Sequence, residues 1–147
     1  MSSSATREVV VNVPVEEFFD LVVQYERYPE FVPQVKATRV TPFGAARDVE
    51  YQIDLGIRRV RYTLRHVEER PRRITWSLVG GEMMKISNGS WELFDEGGRT
   101  RARYSVEVEV AKPALVPQVV VDKLTEELTK VSLPKMLAAF KARAEGA

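Results

Sequence analysis

The side chains best suited to chemistry are the single histidine, His66, and three tyrosines, Tyr51, Tyr62 and Tyr104. An imidazole ordinarily titrates close to neutral pH and can serve as a general base. Phenol hydroxyls set in an apolar site can hold a carbonyl or quinone oxygen and fix its orientation. Strand parity puts these four residues on one face of a sheet, with His66 opposite Arg47 near a strand end. Arg47 and Arg58 share that parity at opposite ends of one hairpin, where either could cap a cavity mouth and meet an anionic group. Each has a plainer alternative: a rim histidine bonded to solvent or backbone, hydroxyls reaching the sheet edge or ordered water, and solvated strand-end arginines.

Other chemistries are argued against by what the chain lacks. Without cysteine there are no disulfides, no thiolate catalysis and no zinc–cysteine sites. One histidine, and no His/Asp/Glu cluster at ligand spacing, leave no metal site and no cofactor expected. Gly80-Gly81 and Gly97-Gly98 fall where hairpin turns belong, not in a phosphate loop. No nucleophile-elbow motif occurs, although spacing alone leaves a Ser–His–Asp triad open.

The elements that must position these residues follow from periodicity. Val49, Tyr51, Ile53 and Leu55 alternate with Asp48, Glu50, Gln52 and Asp54, and Val60, Tyr62 and Leu64 alternate with arginines and Thr63. With Gly56-Ile57 as a two-residue loop, Asp54 faces Arg59, Gln52 faces Arg61, Glu50 faces Thr63 and Asp48 faces Arg65. Ile53 then meets Val60, Tyr51 meets Tyr62 and Val49 meets Leu64. A one-residue slip would spoil both faces. Alternation resumes around Trp76 and again over residues 83–94 and 100–110, with Glu92 facing Arg103, Trp91 facing Tyr104 and Gly89 as a candidate bulge. Before these strands, residues 7–13 form a first strand and Pro14 opens two short helices. Residues 1–5 are expected to fray, and residues 6–147 to form one domain.

Residues 117–145 read as one long helix. Val120, Leu124, Leu128 and Val131 form an apolar stripe that resumes at Leu133, Leu137, Phe140 and Ala144. Pro134 predicts a kink near residues 131–133. An apolar face about 40 Å long needs an equally long apolar surface, which the sheet supplies. The apolar entry, residues 115–121, is expected to pack under the first helices, the alternative being a dimer or membrane contact.

Twenty-two basic and 21 acidic residues give a net charge of +1, and 44% of the chain is hydrophobic. Nothing in that balance favours nucleic acid or an anionic membrane. Arg59, Arg61, Arg65, Arg101 and Arg103 share the outer face, but Asp48, Asp54 and Glu92 are expected opposite three of them. No aromatics interleave there, as single-strand binding requires. No apolar run reaches signal-peptide or membrane-spanning length, so no stable membrane insertion is expected and a cytoplasmic location fits best. Oligomeric state is left open.

Residues 20–22, Asp-Leu-Val, followed by Tyr-Glu-Arg-Tyr-Pro-Glu-Phe-Val-Pro at 25–33, resemble a signature of the START-like (SRPBCC) superfamily, in its polyketide cyclase/dehydrase and coenzyme Q-binding branch. Residues 71–78 and 88–93 extend the resemblance to nearly the whole chain. It implies an α+β helix-grip fold: a curved antiparallel sheet of six or seven strands around a long C-terminal helix, with two short helices after the first strand. It further implies a tunnel between sheet and helix that holds a lipid, isoprenoid quinone or polyketide. The residues expected to touch such a ligand are Tyr51, Tyr62, Leu64, Trp76, Trp91, Tyr104 and Val106 from the sheet, and Leu124, Leu128 and Val131 from the helix. A polyketide cyclase/aromatase is the alternative, with His66 the candidate base for enolising a poly-β-ketone. An interaction module with a filled core is the second. Because the inward positions are overwhelmingly apolar or aromatic, polar groups are expected at the tunnel mouth and not deep inside.

Overall fold

Period-two alternation yields seven strands in the computed structural model, which describes residues 2–56, 58–112 and 115–146. They are β1 (Ser3–Val11), β2 (Val35–Phe43), β3 (Ala46–Asp54), β4 (Arg59–Glu69), β5 (Arg73–Gly81), β6 (Met84–Asp95) and β7 (Thr100–Val110). All neighbours pair antiparallel in the order β1-β7-β6-β5-β4-β3-β2. Between β1 and β2 lie α1 (Val15–Val22), a 3₁₀ turn (Tyr25–Arg27) and α2 (Tyr28–Phe31). After β7 come α3 (Gln118–Glu126), a π-helical turn (Glu127–Val131) and α4 (Ser132–Ala144). The curved sheet and the C-terminal helical stretch form a helix-grip fold.

The β3–β4 register is the one that charge and hydrophobicity dictate: Asp54 opposes Arg59, Tyr51 opposes Tyr62, and Arg47 opposes His66. The Leu55 amide donates to the Arg58 carbonyl at 2.9 Å to close the hairpin. Ile57 of the expected loop lies outside the described residues, as do Pro113 in the linker to α3 and Met1 at the N-terminus. Trp91 opposes Tyr104 and Glu92 opposes Arg103.

Four local expectations are corrected. The first strand starts at Ser3, not Arg7, because β7 is long enough to offer Val108, Glu107 and Val106 as backbone partners to Ser3, Ser4 and Ala5. Ladder hydrogen bonds are indifferent to side-chain polarity. Gly80-Gly81 is not a turn but the end of β5. A Cβ on Gly81, whose φ is +148°, would stand 2.4 Å from the Tyr62 Cα, so the close approach of β4 requires glycine there. Gly89 makes no bulge either. It keeps register with both Trp76 and Val106, and a Cβ there would lie 2.4 Å from the Trp76 indole. Its missing side chain is the space into which that ring packs. Leu115 and Val119, finally, are exposed instead of covered, because α1 packs chiefly against α4 and β6, not over α3.

The break in the C-terminal helix falls one turn earlier than the proline rule places it. Pro134 has no N–H to offer the carbonyl four residues back. The ladder widens just before it, the Ser132 amide bonding to the Glu127 carbonyl in a five-residue step. That extra residue rotates the apolar stripe. Leu124, Leu133, Leu137 and Phe140 are buried, while Val131 turns outward at 36% exposure. Phe140 meets Trp91 and Tyr28 edge-on at centroid distances of 5.3 and 5.2 Å, and Phe18 meets Trp91 at 5.5 Å. This aromatic cluster pins α1 and α4 to the sheet beside the open part of the interior.

Candidate functional site

Between the inner face of the sheet and the π turn with α4 lies a cavity of about 130 Å³. Period two supplies its sheet wall: Tyr51 from β3, Tyr62, Leu64 and His66 from β4, Trp76 from β5, Trp91 from β6, Tyr104 and Val106 from β7. The helical wall is Leu128, Ser132, Leu133, Met136 and Phe140. Spacings of 4 and 5 from Leu128 to Ser132 and Leu133 reflect the widened turn.

Of the ligand-contact residues expected from sequence, Tyr51, Tyr62, Leu64, Trp76, Trp91, Tyr104, Val106 and Leu128 line this cavity; Leu124 and Val131 do not. Leu124 is fully buried in α3, away from the space, and Val131 faces outward because the π turn has shifted its phase. Neither arginine caps the cavity. Arg58 is exposed at the β3–β4 turn. Arg47 is drawn off by Glu68, whose Oε2 accepts from its Nε at 2.8 Å and its Nη2 at 2.5 Å, while Nη2 also donates to the Val23 carbonyl at 3.1 Å. Arg47 thus braces the end of α1 against the sheet. The sequence carried a signal for this: Glu68 lies two residues beyond His66 on the same face.

Sequence reasoning missed part of the lining. Tyr25 and Tyr28, from the two short helical pieces, close one side, and Gln34, just before β2, joins Met84 and Ser87 of β6 in the wall. The tyrosines belong to the Tyr-Glu-Arg-Tyr motif, which carried the family resemblance but gave no sign that its rings face the cavity.

His66 is not a rim residue. It is 5% exposed, covered by the Tyr25 ring at 4.4 Å and the Trp76 ring at 5.8 Å. Its Nε2 lies 2.9 Å from the Tyr51 hydroxyl. Burial, reinforced by the Arg47 charge, pushes its pKa down to about 3, with Asp48 opposing. The ring is neutral at physiological pH and a feeble base. The Tyr25 hydroxyl donates to Glu68 at 2.9 Å, and Tyr28 donates to the Val22 carbonyl. Burial raises the Tyr62 hydroxyl to about 12 and lifts Tyr51 and Tyr104 as well. No lysine, arginine, aspartate or glutamate lines the cavity among the described residues. The arrangement can therefore hold an uncharged, ring-sized apolar group against hydroxyls that stay protonated. A paired polar group, Tyr51 with His66, sits deep in the wall, contrary to the expectation that such groups keep to the mouth.

Among the described residues no three His, Cys, Asp or Glu side chains come together as metal ligands. No helix there is long and apolar enough to cross a membrane.

A family model described as "Polyketide cyclase / dehydrase and lipid transport" matches residues 2–145. No curated protein sequence matches. Among solved structures, the ZhuI aromatase/cyclase from Streptomyces sp. R1128 superimposes with a TM-score of 0.88 at 15% identity, covering 99% of this chain and 94% of that one. A protein from Thermus thermophilus, TTHA0849, gives 0.79 at 18% identity, with 97% of both chains covered. A START superfamily protein from Mycobacterium smegmatis gives 0.78 at 19% identity, also with 97% of both covered. At such identities the likeness is one of fold.

Proposed function

The chain belongs to the polyketide cyclase/dehydrase and lipid transport family, and on that premise we propose that it binds or carries a hydrophobic small molecule, one ring-sized part of which occupies the cavity between sheet and C-terminal helix. The observation that carries this reading is the aromatic-walled space of about 130 Å³ with no charged lining residue among those described. Typical ligand pockets span roughly 300–1,000 Å³, whereas an apolar cavity near 150 Å³ accepts a benzene-sized guest. A lipid, isoprenoid quinone or polyketide would place a ring or chain end inside and leave by the half-buried side near Gln34, Leu128 and Met136. Cargo of this kind suits a cytoplasmic carrier. Nucleic acid is not among the proposed partners: Arg65 is held by Asp48 at 2.8 Å, Arg101 by Glu8 and Glu96, and Arg103 by Glu8.

The test is native mass spectrometry of the purified protein, followed by organic-solvent extraction. A bound neutral mass that is released by solvent and restores itself on re-addition supports the reading. Protein that is unliganded as purified and takes up no quinone, lipid or aromatic ketone at millimolar concentration rejects it.

A second reading, an aromatase/cyclase, is favoured by the buried Tyr51–His66 pair beside the space. With its conjugate acid near pH 3, His66 would contribute little as a base, so rate would come from holding a flexible chain in a reactive fold. A His66→Ala variant with undiminished turnover of a cyclising substrate would remove the histidine from that chemistry.

A further inference from the structure

One nitrogen of the only histidine has no partner. His66 Nε2 is 2.9 Å from the Tyr51 hydroxyl, but Nδ1 is sealed from solvent and has no hydrogen-bond partner among the described residues. A neutral imidazole carries one proton on one of its two nitrogens. Were Tyr51 to donate to Nε2, the proton would sit on Nδ1 as a buried N–H without an acceptor. Orphaned buried N–H groups are the rarest and costliest kind. Were Nε2–H to donate to the Tyr51 oxygen instead, only a lone pair would be left bare at Nδ1. Tyr51 would then keep its own O–H for something in the cavity it lines.

The rest of the wall agrees. Tyr62 and Tyr104 line the same cavity, and neither hydroxyl has a hydrogen-bond partner among the described residues. Among the described residues no cation faces the space, and Arg47 is engaged by Glu68 and Val23. A carboxylate drawn in would lose its hydration and find no counter-charge.

Resting on the reading of this cavity as a ligand site, we infer that His66 orients the Tyr51 hydroxyl as a hydrogen-bond donor, and that the site thereby selects an uncharged group with an acceptor oxygen, a ketone or quinone carbonyl, over a carboxylate. His66 is a positioning residue here, acting through Tyr51.

Two measurements test it. Because the chain has one histidine, ring ¹⁵N shifts of labelled protein read its tautomer directly. The proton is expected on Nε2, and a proton on Nδ1 overturns the inference. Binding is then compared for three probes of similar size: acetophenone ¹³C-labelled at the carbonyl, ethylbenzene and benzoate. Acetophenone should bind about fivefold tighter than ethylbenzene, the worth of one net hydrogen bond, with benzoate weakest. Its carbonyl ¹³C resonance should move downfield on binding. In Tyr51→Phe both the preference and the shift should vanish. In His66→Leu the shift should shrink, and His66→Gln, whose amide can still donate to Tyr51, should restore part of it. If acetophenone and ethylbenzene bind alike, or benzoate binds as well as the ketone, the inference falls and the cavity reading stands. If no probe binds at all, both fall.

Discussion

His66 links folding to pH chiefly through its burial, with the Arg47 charge adding to it. Its folded pKa, about 3, lies below the ordinary 6.5, so between those values the unfolded chain binds a proton that the folded chain refuses. Stability is then complete above about pH 6.5 and falls as the pH drops toward 3. Between pH 7 and 4.5 the expected loss is about 2–3 kcal/mol, seen as a lower urea midpoint. His66→Leu should lose that share of the slope and keep the part due to carboxylates such as Asp48, which Arg65 holds below the usual range. Parallel pH profiles for the two proteins would mean that the imidazole titrates normally. The inward parity of His66 was legible from its register against Arg47. Its burial was not, because the ring that covers it, Tyr25, comes from a segment with no periodic relation to β4. Arg47 shows the same limit. Its place on the inner face was readable, but whether it met a ligand or Glu68 depended on a neighbour across the ladder.

The C-terminal helix carries two leucines that sequence treats as equivalent and the structure does not. Leu124 is 1% exposed and packed, whereas Leu128 begins the π turn's cavity-facing side and is half-buried. Leu124→Ala should cost about 2–5 kcal/mol, the range for a buried leucine whose space cannot fully collapse, and should leave probe binding unchanged in the surviving fold. Leu128→Ala should cost less, about 1 kcal/mol, and should admit a larger guest. Urea titrations paired with binding of ethylbenzene and a bulkier homologue separate the two. Equal stability losses and equal binding would show that the stripe is a continuous α-helical seam after all. The stripe was legible from spacing at Leu124 and Leu128 and again at Leu133, Leu137 and Phe140, which are buried as that spacing requires. Between the two runs, the five-residue step from the Glu127 carbonyl to the Ser132 amide moved Val131 out and Met136 in. A 3.6-residue period cannot foresee that step, although Pro134 announced that something near it must give. Thr125 and Thr129 turn their hydroxyls back to the Val121 and Thr125 carbonyls at 2.9 and 2.8 Å, which satisfies those hydroxyls locally.

At the scale of the whole molecule the decisive quantity is how far the helix stands off the sheet. The hairpin registers were readable because each depends on residues close in sequence, and the resemblance carried in residues 20–33 supplied the wrap of sheet around helix; the pairing of β1 with β7, from opposite ends of the chain, was not readable. The gap itself was not readable, since it is the small difference between two opposing surfaces: Phe18, Trp91 and Phe140 meet edge-on, yet Trp91 and Phe140 still border the cavity together with Tyr62, Tyr104 and Leu128. Left dry, about 130 Å³ costs about 3 kcal/mol, a sizeable part of the ~5–15 kcal/mol that holds a domain folded. A guest that binds only the folded state returns stability by mass action, about 2.7 kcal/mol at a hundredfold excess over its Kd. For a domain of this size each kcal/mol moves Tm by about 2–4 °C, so a saturating guest should raise it by about 5–10 °C. Leu128→Trp offers an internal substitute for that guest. The variant should melt no lower than the wild type and show no further rise with ethylbenzene, because the indole occupies the same space. A wild type whose Tm does not respond, or a Leu128→Trp protein that responds as fully as wild type, would mean that the standoff is closed in solution and that the fold's work is done on its exterior.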